Sequence, residues 1–447
     1  MRENLSIFDI LLPPIYLLIA LLYATYIQKK KSLKHPEYRY FTYGLIAHIG
    51  GAIALGLIYF FYYDGGDTTN YHQTASAYVN LFFKDQESFW VGWLGDMKGN
   101  DWYFFDESTG YPVYTHRDHH AFFVVRLLIP ICALAFKSYF ACAILTAVFT
   151  YGGLWKLYQT FLQEFPELKK ELAIAILFIP SCLFWGSGVM KDSFTLSAVG
   201  WFTYSFYNFF IKKRWKVSFG LQLFISAFII LAIKPYIFFA LFPGSIIWLS
   251  NQQISKINHK GVRLMATPLL LAIGAGSGYF ALTKMGDSLG IYKLDTVLDR
   301  AVTVQQDMKA DYYGGKTFDI GNFDASLSGI ASKAPVAIFA GIFRPGLWDV
   351  RNPVMFVSSL ENSYLLILTF FLLIKLKFFG FFNLIRNNPL LLFAMLFSLF
   401  FAFSVGLTVA NFGSLVRLRI PELPFFVSSL FILRHLYEKQ SGEKVKF

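Results

Sequence analysis

Chemistry in this chain must come from a few short polar stretches set between long apolar ones. The first reads Tyr63-Asp64-Gly65-Gly66-Asp67-Thr68-Thr69-Asn70-Tyr71-His72 and directly follows an apolar run. Two carboxylates around a Gly-Gly pair can be held in a tight turn near a membrane surface. A carboxylate there can deprotonate a hydroxyl acceptor or bind a divalent cation such as Mg or Mn. Asp67 and Asp64 are therefore candidate catalytic residues, and Tyr71 and His72 candidate substrate-binding residues. The plainer alternative is a pair of solvated acids that end a helix.

A second stretch, Phe184-Trp185-Gly186-Ser187-Gly188-Val189-Met190-Lys191-Asp192-Ser193, lies between two apolar runs. Ionisable groups at such a depth are costly and are usually paired or functional. Asp192 is the further candidate acid, with Lys191 beside it. Lys234, in the corner Lys234-Pro235-Tyr236, is a second candidate cation. Further on come Arg344 and then Glu361, a glutamate one or two turns into an apolar run that is expected to face the bundle interior. The stretch Asn411-Phe412-Gly413-Ser414-Leu415-Val416-Arg417-Leu418-Arg419-Ile420-Pro421 supplies Arg417 and Arg419. A guanidinium fork matches phosphate oxygens, so a lipid-linked phosphate is a natural ligand; anchoring of anionic headgroups is the plainer role. His119-His120 invite a metal reading. Adjacent histidines rarely face one centre, however, and no cysteine cluster accompanies them, so a zinc site is not expected.

The elements that must carry these residues are membrane helices. Of 447 residues, 55% are hydrophobic and only 15% charged, against about a quarter charged in ordinary soluble domains. Apolar runs of about the length needed to cross a bilayer cover 7–26, 41–63, 140–160, 172–187, 194–210, 218–233, 235–250, 262–282, 354–374, 389–410 and 420–434. The run 121–136 is only about 16 residues long and carries Arg126, so it is read as a re-entrant or interface-lying helix. The expected fold is an all-α polytopic bundle of about eleven spans, one membrane domain over 1–447 with two long external loops, 64–120 and 283–353. The first run lacks a cleavage site after it and reads as a helix rather than a removable leader. Net charge is +12, but the cations gather in short connectors such as Lys29 to Lys31 and Lys212 to Lys216. The positive-inside rule places those connectors in the cytoplasm. Nucleic acid is not an expected partner. Three cysteines in apolar runs, Cys132, Cys142 and Cys182, argue against a disulfide framework.

With these motifs in hand, the chain resembles the GT-C superfamily of polytopic glycosyltransferases. It is particularly similar to membrane proteins of exopolysaccharide and O-antigen assembly in Bacteroidetes-like bacteria. The resemblance rests on Gly66-Asp67-Thr68-Thr69-Asn70-Tyr71, on Ser187-Gly188-Val189-Met190-Lys191-Asp192 and on the 411–421 stretch. It departs from the family pattern in the extra helix 7–26 and in offering no soluble C-terminal domain. The resemblance implies a transfer from a polyprenyl-phosphate-linked sugar to a glycan or lipid-linked acceptor, at the periplasmic face of a bacterial inner membrane. Asp67 would then be the general base, Asp192 a supporting acid or metal ligand, and Arg417 and Arg419, with Arg344, the cations around the donor phosphate. Two other readings stay open: a Wzy-type polysaccharide polymerase, and a transporter or flippase of lipid-linked sugars.

Overall fold

A computed structural model describes residues 7–95, 99–113, 118–254, 303, 307, 317–321, 323 and 326–442. The expected span 262–282, and most of the expected loop 283–353 before residue 317, lie outside the described residues. Among the described residues the regular structure is helical, apart from an isolated bridge between Thr317 and Asn411. Its helices are α1 (Phe8–Ser32), α2 (Phe41–Phe61), α3 (Asp67–Lys84), α4 (Gln86–Leu94), α5 (His119–Leu134), α6 (Tyr139–Glu164), α7 (Lys169–Leu177), α8 (Pro180–Trp185) and α9 (Lys191–Phe206). There follow α10 (Val217–Ile233), α11 (Pro235–Ile254), α12 (Leu327–Ser332), α13 (Ala334–Phe343), α14 (Pro353–Asn387), α15 (Pro389–Thr408), α16 (Phe412–Leu418) and α17 (Leu423–Ser441).

Five of these segments are long and apolar enough to cross a membrane: Phe8–Ser32, Pro36–Phe61, Tyr139–Glu164, Pro353–Asn387 and Pro389–Thr408. Shorter apolar helices accompany them at His119–Leu134, Val217–Ile233, Pro235–Asn251 and Ala334–Phe343. Apolar helices in this number are compatible with a multi-pass membrane protein.

Three expectations about elements change. The stretch 64–120, expected as a loop, is largely helical, because α3 and α4 occupy 67–94. The run 172–187 is not one helix: proline disfavours helical backbone at the residue before it, and the chain breaks at Phe178–Ile179, ahead of Pro180. Finally, α14 is interrupted at Lys377, whose φ of 56° is not helical. That break falls in the basic connector expected after the 354–374 span.

The chain forms two compact units. Unit 1 comprises Met1–Leu157, Cys182–Trp201 and Ser226–Lys234; unit 2 comprises Tyr158–Ser181, Phe202–Ile225 and Pro235–Phe447.

In unit 1, α6 runs antiparallel to α2. Its first turn meets the end of α2, where Phe60 and Tyr139 have ring centroids 4.7 Å apart. Near the other end of α6, Tyr151 donates to Phe41 O (2.9 Å) and Trp155 lies 4.9 Å from the Tyr38 ring. The start of α3 is pinned beside the start of α6 by Thr68 Oγ1 and Tyr139 OH, 2.6 Å apart. Asp9 of α1 accepts from Tyr139 N at 2.7 Å. The acidic α2–α3 turn therefore sits at one end of this helix layer. Lys31, which donates to Tyr38 OH (3.2 Å), sits at the other.

Helix α9 runs parallel to α6 and very close to it. A Cβ at Gly153 would overlap the Ser197 carbonyl, and one at Gly200 would overlap the Gly153 carbonyl. Small residues that let backbones meet in this way are the main packing device between membrane helices, where lipid removes the hydrophobic drive. Gly153→Leu is accordingly expected to force α9 off α6 and to abolish the monodisperse peak in detergent size-exclusion chromatography. Gly50→Leu is the matched control, since nothing lies within 4 Å of a Cβ there. Equal behaviour of the two variants would refute the close crossing.

In unit 2, α13 crosses α15 by the same device, with Gly341 against Ala402 and Gly406 against Ala337. Helix α11 packs on α15 through Trp248 and Phe393, stacked with centroids 4.7 Å apart.

Candidate functional site

The α2–α3 turn in unit 1 reverses through left-handed backbone: φ is 54° at Asp64, 117° at Gly65 and 140° at Gly66. A side chain at Gly66 would also strike the Tyr59 ring, so glycine is required there. Thr69 closes the turn, its hydroxyl accepting from Gly66 N (3.0 Å) and donating to Gly66 O (2.9 Å). Asp67 is the first residue of α3 and half-buried, where the helix dipole favours a carboxylate. Asp64 is exposed and Tyr71 is buried. His72 packs edge-on to Tyr139, with centroids 5.3 Å apart, and its Nε2 is buried without a hydrogen-bond partner among the described residues.

The second group in unit 1 gathers at the N-terminus of α9. Gly186 to Met190 form a buried turn, held where Ser193 Oγ donates to Gly188 O (2.6 Å). Asp192 is fully buried and ion-paired with Lys234, itself only 6% exposed. Lys191, partly exposed, donates to Asp118 Oδ2 at 2.8 Å. The other oxygen of Asp118 accepts from His120 N (2.9 Å), so one carboxylate caps α5 and pairs with α9. Partial burial works to raise the Asp118 carboxyl, but the Lys191 ammonium and the N–H groups of Ala121 and His120 outweigh it. Together they hold it below the usual carboxylate range. Nδ1 of His120 lies 2.7 Å from Ala232 O; a carbonyl can only accept, so Nδ1 carries the proton. This bond ties the end of α10, and with it Lys234, to the start of α5.

The pairing of Phe194 with Phe149 (centroids 6.4 Å) sets the depth of this cluster. Counted along the parallel helices at 1.5 Å per residue, Lys191 lies roughly 10 Å inward of Tyr139. The cluster is recessed into the helix layer.

Unit 2 holds the remaining expected residues, and they part company. Arg344 makes a bidentate pair with Asp349, Nε to Oδ2 at 3.0 Å and Nη2 to Oδ1 at 2.6 Å. Its guanidinium also lies 5.1 Å from both the Phe318 and Phe412 ring centroids. Arg417 is half-buried on α16. Arg419 is fully buried and donates to Ile342 O (2.8 Å), Arg344 O (3.0 Å), Gly341 O (3.4 Å) and Asn362 Oδ1. Asn362 in turn donates to Pro345 O at 2.7 Å. Glu361 lies inside the unit, as expected of a glutamate in an apolar helix, and accepts from Ser181 N at 2.9 Å.

Lys191, Asp192 and Lys234 thus come together, whereas Arg417 and Arg419, two residues apart, have different surroundings. Asp118, Asp349, Asn362 and Glu422 are partners outside the expected site residues, and His120, weighed in the sequence only as a metal ligand, instead ties α5 to α10. Glu422 carried a readable signal, a lone acid inside the apolar run 420–434. Among the described residues, no three His, Cys, Asp or Glu side chains are grouped so as to hold a metal ion.

Compared with protein-family models, curated proteins and solved structures, the chain matches none.

Proposed function

We propose that the chain is a multi-pass membrane glycosyltransferase of GT-C type, with about eleven spans. In this reading it moves a sugar from a polyprenyl-phosphate donor to a glycan or lipid-linked acceptor at the external face of a bacterial inner membrane, in cell-surface polysaccharide assembly. The observation that carries the proposal is the recessed charged cluster at the start of α9, in the same unit as the acid-bearing α2–α3 turn. A helix N-terminus that also presents a lysine suits a phosphate.

Asp67 is the base that takes the proton from the acceptor hydroxyl as the anomeric carbon is attacked, with Asp64 beside it on the same turn. Lys191 meets the charge that develops on the leaving phosphate. Asp192 acts through Lys234, holding the α9 terminus in place rather than touching substrate. Tyr71 and His72 shape the acceptor side of the turn. Arg344 and Arg417 remain candidate phosphate contacts within unit 2; Arg419 and Glu361, both buried, are assigned to that unit's interior. A divalent cation would find carboxylates at Asp64 and Asp67, but no three-ligand set among the described residues, and no step here depends on it.

The test is transfer by purified protein in lipid, with polyprenyl-phosphate sugars and extracted acceptors. Asp67→Asn is expected to lower turnover about 100-fold or more, the usual range for losing a general base. Lys191→Gln is expected to weaken donor use while leaving the fold intact. Undiminished transfer by a folded Asp67→Asn protein would remove the base assignment. A single added sugar supports the transferase; a ladder of repeat units selects the polymerase.

A further inference from the structure

Among its described residues, unit 2 buries the side chains of Glu361 and Glu422 near the Arg419 guanidinium. Arg419 Nη2 is 3.9 Å from Glu361 Oε1, and Glu422 lies one turn further along the chain, its N–H donating to Arg419 O at 3.0 Å. Arg419 and Glu422 are 0% exposed and the Glu361 side chain 8%. Neither carboxylate oxygen of Glu422 has a hydrogen-bond partner among the described residues; nor has Glu361 Oε1, nor the buried Ser181 Oγ next to the Ser181 amide that binds Glu361.

Among the described residues, Arg419 is the only cation within ion-pair distance of either carboxylate. Helices α13 and α15, which pack in this unit, contain no ionisable side chain. Arg344 is turned to Asp349 and Phe318. Arg417 lies on α16, half-buried. The ionisable groups of α17 (Arg434, His435, Tyr437, Glu438 and Lys439) begin three turns beyond Glu422, and Arg434 is bonded to Glu438 at 3.0 Å. On α7, Lys169, Lys170 and Glu171 occupy the first turn.

Two ionised carboxylates and one guanidinium leave one net negative charge buried, and an uncompensated buried charge is severely unfavourable. We propose that Glu361 and Glu422 form a binding site for one monovalent cation, a proton or Na+, with the Ser181 hydroxyl as a further oxygen ligand. Oxygen-only donors suit a hard cation, and an intramembrane carboxylate is a functional-site candidate wherever it carries a removable charge. The proposal does not depend on the transfer chemistry proposed for unit 1.

The test uses the full chain in lipid nanodiscs, wild type beside Glu422→Gln and Glu361→Gln. Infrared spectra with 13C-labelled glutamate report a protonated carboxyl. Melting in Na+ against N-methylglucamine, at constant ionic strength, reports Na+ binding. A protonated-glutamate band at neutral pH that is lost in Glu422→Gln, without Na+ dependence, establishes the proton as occupant. A melting temperature that rises with Na+ in wild type and not in either variant establishes Na+. Wild-type protein with neither the band nor a Na+ response overturns the proposal, whether or not the variants fold.

Discussion

Lys234→Met is expected to destabilise unit 1 by about 3–5 kcal/mol, the range for removing one partner of a buried ion pair. Asp192 is fully buried, so the change takes the Lys234 ammonium from a carboxylate that solvent does not reach. The penalty is a buried charge less well compensated, more than the lost attraction, and this dictates the control. Asp192→Asn combined with Lys234→Met removes both charges and is expected to recover most of the loss, because replacing a whole buried pair by neutral groups is often close to neutral. The measurement is thermal or denaturant unfolding in lipid-like detergent for wild type, the single variant and the double variant. A single-variant loss under about 1 kcal/mol, the value of an exposed pair, would mean that the pair is solvated and the cluster open. The outer pair gives the contrast: Asp118 is 48% exposed, so Asp118→Asn is expected to change stability little while loosening Lys191.

The second large effect is expected from Arg419→Met, which should leave little folded protein. Its guanidinium satisfies carbonyls at Gly341, Ile342 and Arg344, together with Asn362, and it lies 3.9 Å from the Glu361 carboxylate. Each buried acceptor left unsatisfied costs about 1–3 kcal/mol, and an uncompensated carboxylate costs more. Arg419→Lys should not rescue, since a single ammonium cannot reach several carbonyls in a planar fan. Arg417→Met, two residues earlier and half-buried, should fold normally. Yield of monodisperse protein and melting temperature decide the matter; Arg417→Met and Arg419→Met behaving alike would refute the distinction.

That contrast shows where sequence stops being informative. In the stretch 411–421 both arginines look equivalent, two cations after an apolar run. Which of them is enclosed depends on the rotation of a helix seven residues long and on the carbonyls exposed where α13 ends at Phe343. Neither is encoded near residue 419. The pairing of Asp192 with Lys234 is of the same kind: 42 residues separate them, and they meet because the α10 terminus is bonded to the α5 terminus through His120 and Ala232.

Other features were legible because their causes are local. Long apolar runs form helices in any surround that withholds water, since the backbone must bond to itself. All-helical architecture and several apolar helices long enough to cross a membrane therefore followed from composition and run length. The Gly65-Gly66 turn between two acids was readable because left-handed backbone demands glycine. The break at Phe178–Ile179 had its local signal too, in Pro180, though the surrounding hydropathy masked it. What the tertiary structure alone decided is which charges are buried and with whom. The field and the desolvation that a carboxylate feels are set by atoms distant in the chain, whereas hydrophobic length and backbone preference reside in the residues themselves.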